Sequence, residues 1–254
     1  MPKFELISVI VPARNEECYI RPCLSAIRDA ASHVSIPVET VVVLNRCTDA
    51  TEQIALESGA RTVSDGSRCL ARVRNQGAQA CRGDIIVTCD ADSRVHPLML
   101  ARVLAELANG AVGGGVDVRI DRRSRGIAFT EALLHLSMLL TRVSAGAFWT
   151  TRETFERVGG FNEAMLMGED YEFARRLRTW GKGRAAPFVT LWDTPLLTSA
   201  RKFDRYGDWL FLRMLLLDVW RIRRSINGTS REFVDEFFYE FDHGKEPPHR
   251  HEPL

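Results

Sequence analysis

Two short acidic motifs are the parts of this sequence best suited to chemistry. Asp90 and Asp92 follow the apolar run IIVTC, and Glu169 and Asp170 stand before a segment with a helical pattern. Two carboxylates just beyond a buried strand are costly unless solvent or a cation accompanies them, and a divalent ion bound to a diphosphate would satisfy both. A solvated loop is the alternative for the first motif, and a simple helix cap is the alternative for the second.

The first half of the chain must position these motifs, and it alternates short β-branched runs with helical patterns. Runs such as LISVIV, ETVVVL and DIIVTC predict strands, and the segments between them predict helices. This alternation is typical of a parallel sheet with helices on both faces, whose ligands lie beyond the carboxyl ends of the strands. Three segments are expected to meet there, namely residues 12–16, 45–48 and 90–93.

The second half is less regular, and we interpret it as acceptor-side structure added to the same sheet. One α/β domain is predicted over residues 1–200 and a helical C-terminal extension over residues 201–242. The proline-containing end, residues 243–254, has no apolar pattern and is predicted to be a disordered tail. Within the domain we expect a nucleotide-binding half at about residues 1–118 and an acceptor-side half at about residues 119–200.

The composition is that of an ordinary soluble globular enzyme. The 254 residues include 34 Lys and Arg against 33 Asp and Glu, and 45% are hydrophobic. This balance argues against a disordered chain and against a nucleic-acid-binding protein, which normally carries a strong basic excess. The six cysteines lie in the first 89 residues without a CxxC pair, and the N-terminus lacks the pattern of a secretion signal. We expect a cytoplasmic protein with reduced cysteines.

The turn after the first predicted strand reads PARNEE and contains no glycine. The glycine-rich turns that bind phosphate in dinucleotide dehydrogenases and P-loop nucleotidases are therefore missing at this position. The sequence argues against both of those classes.

Five segments, in order along the chain, resemble the family 2 glycosyltransferases of the GT-A fold. They are SVIVPARNEE, LNRCTDATE, RVRNQGAQACRGDIIVTCDAD, RVGGFNE and GEDYEFARRLRTWG, and they cover about residues 6–182. The resemblance implies a single GT-A domain with a mostly parallel central sheet. It also implies an inverting, metal-dependent transfer of a sugar from a nucleoside-diphosphate sugar to a hydroxyl of a saccharide, lipid or small-molecule acceptor.

The resemblance assigns the donor site to residues near the carboxyl ends of the strands. Asn45 stands where the family usually has an acid that contacts the base, so the identity of the nucleobase stays open. Arg72 or Arg74 would approach the diphosphate, unless both are solvated helix residues. The other donor-binding residues that the resemblance implies are Pro12, Ala13, Arg14, Glu16, Asp90, Ala91 and Asp92.

The resemblance also assigns the metal ligands and the catalytic groups. Asp92 would bind a divalent ion, Mn²⁺ or Mg²⁺, directly, and Asp90 would reach the ribose or the metal through water. Asp170 would be the general base, with Glu169 supporting it and the acceptor site. Two carboxylate sites suit the reaction, because negative charge builds on the leaving diphosphate while the acceptor loses a proton on the opposite face.

Further positions are expected near the sugar or the diphosphate. Gly146 would lie where the chain passes beneath the sugar, and Trp149 would either fill the core or stack on a sugar. A basic segment would either close over the diphosphate as a lid or form a solvated face, and its cations are Arg201, Lys202 and Arg205.

Residues 209–224, from Trp209 to Arg224, combine an apolar run with a basic cluster. They predict a helix that lies on a membrane surface, or one that is buried on the sheet or in a homodimer. The first case would place the protein peripherally at the inner face of the membrane.

Two other functions stay open at this point. The segment IIVTCDADS also resembles the strand and acidic motif of haloacid dehalogenase-type phosphohydrolases, in which the first aspartate is a nucleophile. A non-catalytic nucleotide-binding subunit of the same fold is the other alternative.

Overall fold

The alternation of strands and helices predicted for the first half is present in the structure, a computed structural model that describes residues 4–144 and 146–217. The strands are β1 (Ile7–Ala13), β2 (Val38–Asn45), β3 (Arg61–Asp65), β4 (Ile85–Thr88), β5 (Ser93–Arg94), β6 (Gly113–Ile120), β7 (Trp149–Thr151) and β8 (Phe188–Thr198). The helices are α1 (Ile20–Ala31), α2 (Thr51–Glu57), α3 (Leu70–Ala80), α4 (Met99–Ala108), α5 (Arg125–Thr141), α6 (Arg152–Val158), α7 (Glu169–Lys182), α8 (Arg201–Tyr206) and α9 (Leu210–Leu217).

One mixed, mostly parallel sheet joins the strands in the order β3-β2-β1-β4-β7-β6-β8-β5. Strands β3, β2, β1 and β4 are parallel neighbours, and β6 is parallel to β8. Strand β7 is antiparallel to both β4 and β6, and β5 is antiparallel to β8. The carboxyl ends of β1, β2 and β4 therefore lie at one edge of the sheet, and the predicted α/β fold class is confirmed.

Strand β1 is buried along its whole length because helices cover both faces of the sheet. Val9 and Val11 pack in the larger core cluster with α1 and α4, whereas Ile10 packs in the second cluster with α3, α6 and α7. Alternate side chains of a strand point to opposite faces, so a continuous apolar run is what a strand between two helical layers requires.

Strand β8 is the long element that the sequence pattern did not predict. Its segment FVTLWDTPLLT contains Asp193 and Pro195, which interrupt the alternation of apolar residues. Its pairing with β6 changes register between Val116 and Val118, and this irregularity accommodates the interruption. Long-range pairing with β6, rather than local propensity, makes this segment a strand.

The predicted C-terminal extension is described only as far as residue 217, and the predicted tail lies outside the described residues. Within that limit, α8 and α9 pack against α5 through a third, smaller cluster that contains Ile127, Phe203 and Leu210. The basic cluster predicted for a membrane surface, with Arg224 at its end, also lies outside the described residues.

Helix α3 approaches the sheet at Gly77, and this contact allows a mutational test of the packing. A Cβ atom at Gly77 would overlap Ile10 Cγ2 and lie 2.9 Å from Val43 Cγ2, and both partners are fully buried. We expect Gly77→Ala to lower the free energy of unfolding by about 1–3 kcal/mol, as measured by urea denaturation, because the core is overpacked. The control is Gly66→Ala, where a Cβ meets nothing within 4 Å. Equal stability of the two variants would contradict the close approach.

Candidate active site

A cleft of about 420 Å³ opens at the carboxyl ends of β1, β2 and β4. The three segments that were expected to meet there all contribute to its walls. The loop before α7 and the start of α8 close the opposite side. Of the residues singled out from the sequence, those that line the cleft are Pro12, Ala13, Arg14, Glu16, Asn45, Arg74, Asp90, Ala91, Asp92, Glu169, Asp170, Arg201 and Lys202.

Arg74 joins the two acidic motifs. Its Nη1 atom lies 2.6 Å from Glu169 Oε1, and its Nη2 atom lies 3.0 Å from Asp90 Oδ1. The side chain is buried, and its guanidinium lies 5.4 Å from the centre of the Phe161 ring. Burial by itself would lower the pKa of Arg74, but the carboxylates of Asp90 and Glu169 hold it above its usual value. Arg74 is therefore a charged bridge across the cleft, with both terminal nitrogens engaged by protein carboxylates.

Arg201 makes a second bridge on the other side of the cleft. It forms a bidentate pair with Glu16, at 2.7 and 2.8 Å, and its Nη2 atom lies 2.9 Å from Asp92 Oδ2. Burial raises the pKa of Asp92, and the nearby positive charge of Arg201 opposes this effect. The first residue of α8 thus connects the turn after β1 with the acidic motif after β4.

The two carboxylates at the start of α7 have different surroundings. Glu169 is buried and paired with Arg74, and burial raises its pKa while the positive charge of Arg74 opposes the rise. Asp170 is half-buried, accepts a hydrogen bond from the backbone N–H of Tyr171 at 2.7 Å, and forms no ion pair with another described residue. Of the two, Asp170 has the carboxylate that is free to accept a proton from a molecule in the cleft.

Asn45 is buried at the end of β2, and its amide nitrogen is fully used inside the protein. Nδ2 donates to Ser67 O at 2.7 Å, to Asp65 O at 3.1 Å and to Asp65 Oδ1 at 3.2 Å. Three acceptors around one atom identify it as the nitrogen of the amide. Asp65 was not singled out from the sequence, because its only local signal is a turn-forming DGS segment after a weak strand.

Four of the residues singled out from the sequence do not line the cleft. Arg72 is exposed, 3.8 Å from Asp65, and Arg205 lies over the ring of Tyr206. Gly146 packs against β6, where a Cβ would lie 2.7 Å from Val118 Cγ2, so sheet packing requires its small size. Trp149 is 0% exposed, which corresponds to the core alternative and not to stacking on a sugar.

The cleft also has apolar walls that motif-based reasoning missed. Leu70 and Val73 of α3 lie on one side, and Leu166 and Met167 precede Glu169 on the other. The loop GGFNEAMLMGED carries the two latter residues, and no periodic pattern in it indicates which side chains face a ligand.

The residues of the cleft fit a divalent cation that arrives with a phosphate ligand. Among the described residues, no three His, Cys, Asp or Glu side chains form a metal site by themselves. Mg²⁺ is typically held by one or two carboxylates together with substrate phosphates, and Asp90 and Asp92 supply such a pair. The charges agree with this interpretation, since five carboxylates and four cationic side chains line the cleft and a diphosphate would add further negative charge.

The fold and the cleft define the class of protein, a GT-A transferase with one α/β domain. The model of the family described as glycosyl transferase family 2 matches residues 8–161, which is more than half of the chain. The chain belongs to glycosyl transferase family 2, and the resemblance recognised from the five sequence segments is confirmed.

Three similar proteins illustrate the family. The chain is 26% identical to glycosyltransferase AglE of Haloferax volcanii over 186 residues, 67% of this chain and 60% of the relative. It is 30% identical to undecaprenyl-phosphate 4-deoxy-4-formamido-L-arabinose transferase of Pseudomonas fluorescens over 112 residues, 41% of this chain and 33% of the relative. The structure of mannosyltransferase PcManGT of Pyrobaculum calidifontis, in complex with GDP-Man and Mn²⁺, matches with a TM-score of 0.62 at 20% identity, over 90% of this chain and 69% of that one. The chain thus spans less than two thirds of the length of either curated relative.

The hydrogen bonds of Asn45 yield a prediction about stability. In Asn45→Asp, a carboxylate would face the Asp65 carboxylate and two backbone carbonyl oxygens, all of which now accept from Nδ2. We expect the free energy of unfolding to fall by about 1–3 kcal/mol. The double variant Asn45→Asp/Asp65→Asn should recover part of this loss, because it leaves one carboxylate beside one amide. Chemical denaturation of both variants and of Asp65→Asn completes the cycle, and an Asn45→Asp protein as stable as wild type would contradict the assignment.

Proposed function

We propose that this protein transfers a sugar from a nucleoside-diphosphate sugar to an acceptor hydroxyl, with inversion at the anomeric carbon and with the help of a divalent cation. The observation that carries the proposal is the Arg74 bridge, which brings Asp90 and Glu169 to one guanidinium in one cleft. A donor phosphate near Asp90 and Asp92 would then lie across the cleft from the carboxylate of Asp170.

On the donor side, Asp92 would hold the cation directly, and Asp90 would contact the ribose or the cation through water. The bound cation supplies neutralisation of the charge that develops on the leaving diphosphate. Lys202 lines the same part of the cleft and would contact the diphosphate. Both terminal nitrogens of Arg201 are engaged by Glu16 and Asp92, so Arg201 would contact the diphosphate only after it releases Asp92. Arg74 holds Asp90 in place, so we propose it as a positioning residue and not as a phosphate ligand.

On the acceptor side, Asp170 would take the proton of the attacking hydroxyl. The new bond forms between that oxygen and the anomeric carbon, the bond from this carbon to the diphosphate oxygen breaks, and its electron pair leaves with the diphosphate. Attack from the side opposite the leaving group inverts the configuration. Glu169 is paired with Arg74, so it orients the start of α7 and does not compete for the proton.

The Asn45 amide supports a preference among donor nucleobases. Because Nδ2 is used by Asp65 and Ser67, the amide presents Oδ1, an acceptor, to the cleft. Uracil, thymine and guanine carry a ring N–H at their pairing edge, whereas cytosine presents an unprotonated ring nitrogen there and can donate only through its exocyclic amino group. We therefore propose a uridine, thymidine or guanosine diphosphate donor in preference to a cytidine one.

A lipid is the acceptor class that we favour among the three considered. One relative is named for undecaprenyl phosphate, and the apolar side chains of Leu166 and Met167 lie directly before the proposed base. A haloacid dehalogenase-type hydrolase is not supported, because the chain belongs to another family and Asp90 is tied to Arg74. A non-catalytic binding subunit would bind the donor without releasing nucleoside diphosphate from it, and the two experiments below separate this alternative from transfer.

Donor binding is expected to depend on the cation through Asp92. In Asp92→Asn the removal of the charge should weaken binding of UDP or GDP in the presence of Mn²⁺ at least about tenfold, and EDTA should do the same to the wild type. The measurement is isothermal titration calorimetry with UDP, GDP, dTDP and CDP, and we expect CDP to bind most weakly. Asp193→Asn, an exposed aspartate on β8, is the matched control. Unchanged affinity after both EDTA and Asp92→Asn would refute the proposed cation site.

Substitution of the proposed base, Asp170, is expected to lower the rate of transfer without changing the affinity for nucleoside diphosphate. Asp170→Asn keeps the shape of the side chain and its hydrogen bond to the Tyr171 N–H, but it removes the proton acceptor. We expect release of nucleoside diphosphate from the donor, with and without a polyprenol as the acceptor hydroxyl, to fall roughly 10²–10⁴-fold while UDP or GDP affinity stays near wild type.

The helix cap considered for this motif from the sequence is wrong, because Gly168 is the N-cap of α7 and Asp170 is its second residue. A purely structural role of Asp170 in the first turn makes the opposite prediction, because asparagine also accepts the hydrogen bond from the Tyr171 N–H. Near-normal release by the Asn variant would leave Asp170 with a structural role only and would move the search for the base to Glu169. The matched control is Asp170→Glu, which keeps the carboxylate and should lose less activity than Asp170→Asn.

A further inference from the structure

Helix α5 has an outer face without charged side chains. Between its ends, its ionisable residues are Glu131 and His135, and both are used toward β6. Glu131 Oε1 accepts from the Ile120 N–H at 2.9 Å, and His135 Nε2 lies 2.5 Å from Asp117 Oδ1. A helix that packs on a sheet normally turns a polar face to water, and here that face is apolar.

The outer face of α5 continues onto α9. Phe129, Leu136 and Leu140 lie on one face of α5 at spacings of seven and four residues, and the Phe129 ring lies 5.9 Å from the ring of Trp209, the residue before α9. The exposed apolar side chains of α5 therefore adjoin those at the start of α9. Six of the ten large hydrophobic side chains that are exposed among the described residues lie on or next to these two helices. We call this group the α5–α9 surface, and its members are Phe129 (41% exposed), Leu136 (52%), Leu139 (66%), Leu140 (75%), Trp209 (51%) and Leu216 (72%). Exposed apolar surface on this scale marks an interaction site.

Packed side chains connect the α5–α9 surface with the wall of the cleft. Beneath it, Ile127 of α5 packs with Leu210 and Met214 of α9 in the third core cluster. Met167, which lines the cleft, packs against the same cluster. A partner on this surface would therefore lie on the side of the molecule that carries the loop before α7.

The charged residues that flank this surface are positive. Arg125 begins α5, and Arg142 follows its end. Arg213 lies three residues before Leu216 on α9, and its backbone N–H donates to the carbonyl of Trp209, which precedes the helix. All three arginines are exposed, and none forms an ion pair with another described residue. The neighbouring carboxylate of Asp208 is engaged by Arg122.

An apolar surface with arginines at its edges suits a lipid surface better than a second copy of the chain. In a symmetric dimer the same patch from two copies would meet, and the flanking arginines would approach their own copies without a free carboxylate between them. A lipid surface with anionic headgroups accepts the apolar side chains at its boundary and neutralises the arginines. We infer that the α5–α9 surface docks the protein on an anionic membrane surface. The inference adds a membrane-facing helix, α5, to the segment after residue 209 that the sequence indicated, and it does not depend on the proposed transfer reaction.

Vesicle co-sedimentation of the full chain tests this inference. Wild type should bind vesicles of phosphatidylcholine with phosphatidylglycerol and should bind pure phosphatidylcholine vesicles much more weakly. The triple variant Leu136→Ser/Leu139→Ser/Leu140→Ser removes exposed side chains, so it should fold normally while its partition coefficient falls at least about tenfold. Arg125→Gln/Arg213→Gln should lose the preference for phosphatidylglycerol and keep weak binding.

The matched control is Leu56→Ser, an equally exposed leucine on α2, which packs near β3 at the opposite edge of the sheet. It should bind vesicles like wild type. Failure of wild type to sediment with anionic vesicles, or unchanged binding of the triple variant, would overturn the inference. A wild-type dimer that the triple variant converts to monomers, seen by light scattering without vesicle binding, would assign the surface to a second copy instead. Titration with UDP or GDP and Mn²⁺ checks the cleft of each variant separately, so failure here stays distinct from failure of the proposed transfer.

Discussion

The burial of three carboxylates in one cleft is the constraint on which the rest of this structure depends. Glu16, Asp92 and Glu169 come from three separate parts of the chain, and uncompensated burial of such groups would be strongly unfavourable. Two buried arginines compensate these charges. Arg74 pairs with one member of each acidic motif, and Arg201 pairs with Glu16 and Asp92. Removing either arginine would leave buried charge without a partner, so the local fold and the electrostatics of the cleft are inseparable.

These two bridges also explain how distant segments make one site. Arg201 reaches Glu16 across 185 positions of sequence, and Arg74 reaches Glu169 across 95. The start of α8 is therefore part of the cleft and not an appendage to it, although the sequence pattern placed a boundary at residue 200. In the proposed function, a cation at Asp92 would compete with Arg201, the first residue of α8, for the same carboxylate.

The apolar α5–α9 surface shares a small core cluster with Met167, which lines the cleft. A lipid acceptor and a membrane-docked protein would be mutually consistent, since the surface and the apolar side of the cleft are joined by the same packed side chains. Within the described residues no helix is long and apolar enough to cross a membrane.

The sequence by itself determined the family, the order of the elements in the first half and the set of segments that meet at the cleft. Strands buried on both faces have continuous apolar runs and motifs occur at fixed positions after them, so these features are encoded locally. The tertiary structure decided the features that depend on contacts between residues far apart in the sequence. It made β8 a strand through pairing with β6, separated Arg74 from Arg72, placed Trp149 in the core, and fixed the Asn45 amide against Asp65. None of these outcomes has a periodic or motif signal, because each depends on which distant side chain happens to lie within hydrogen-bonding or packing distance.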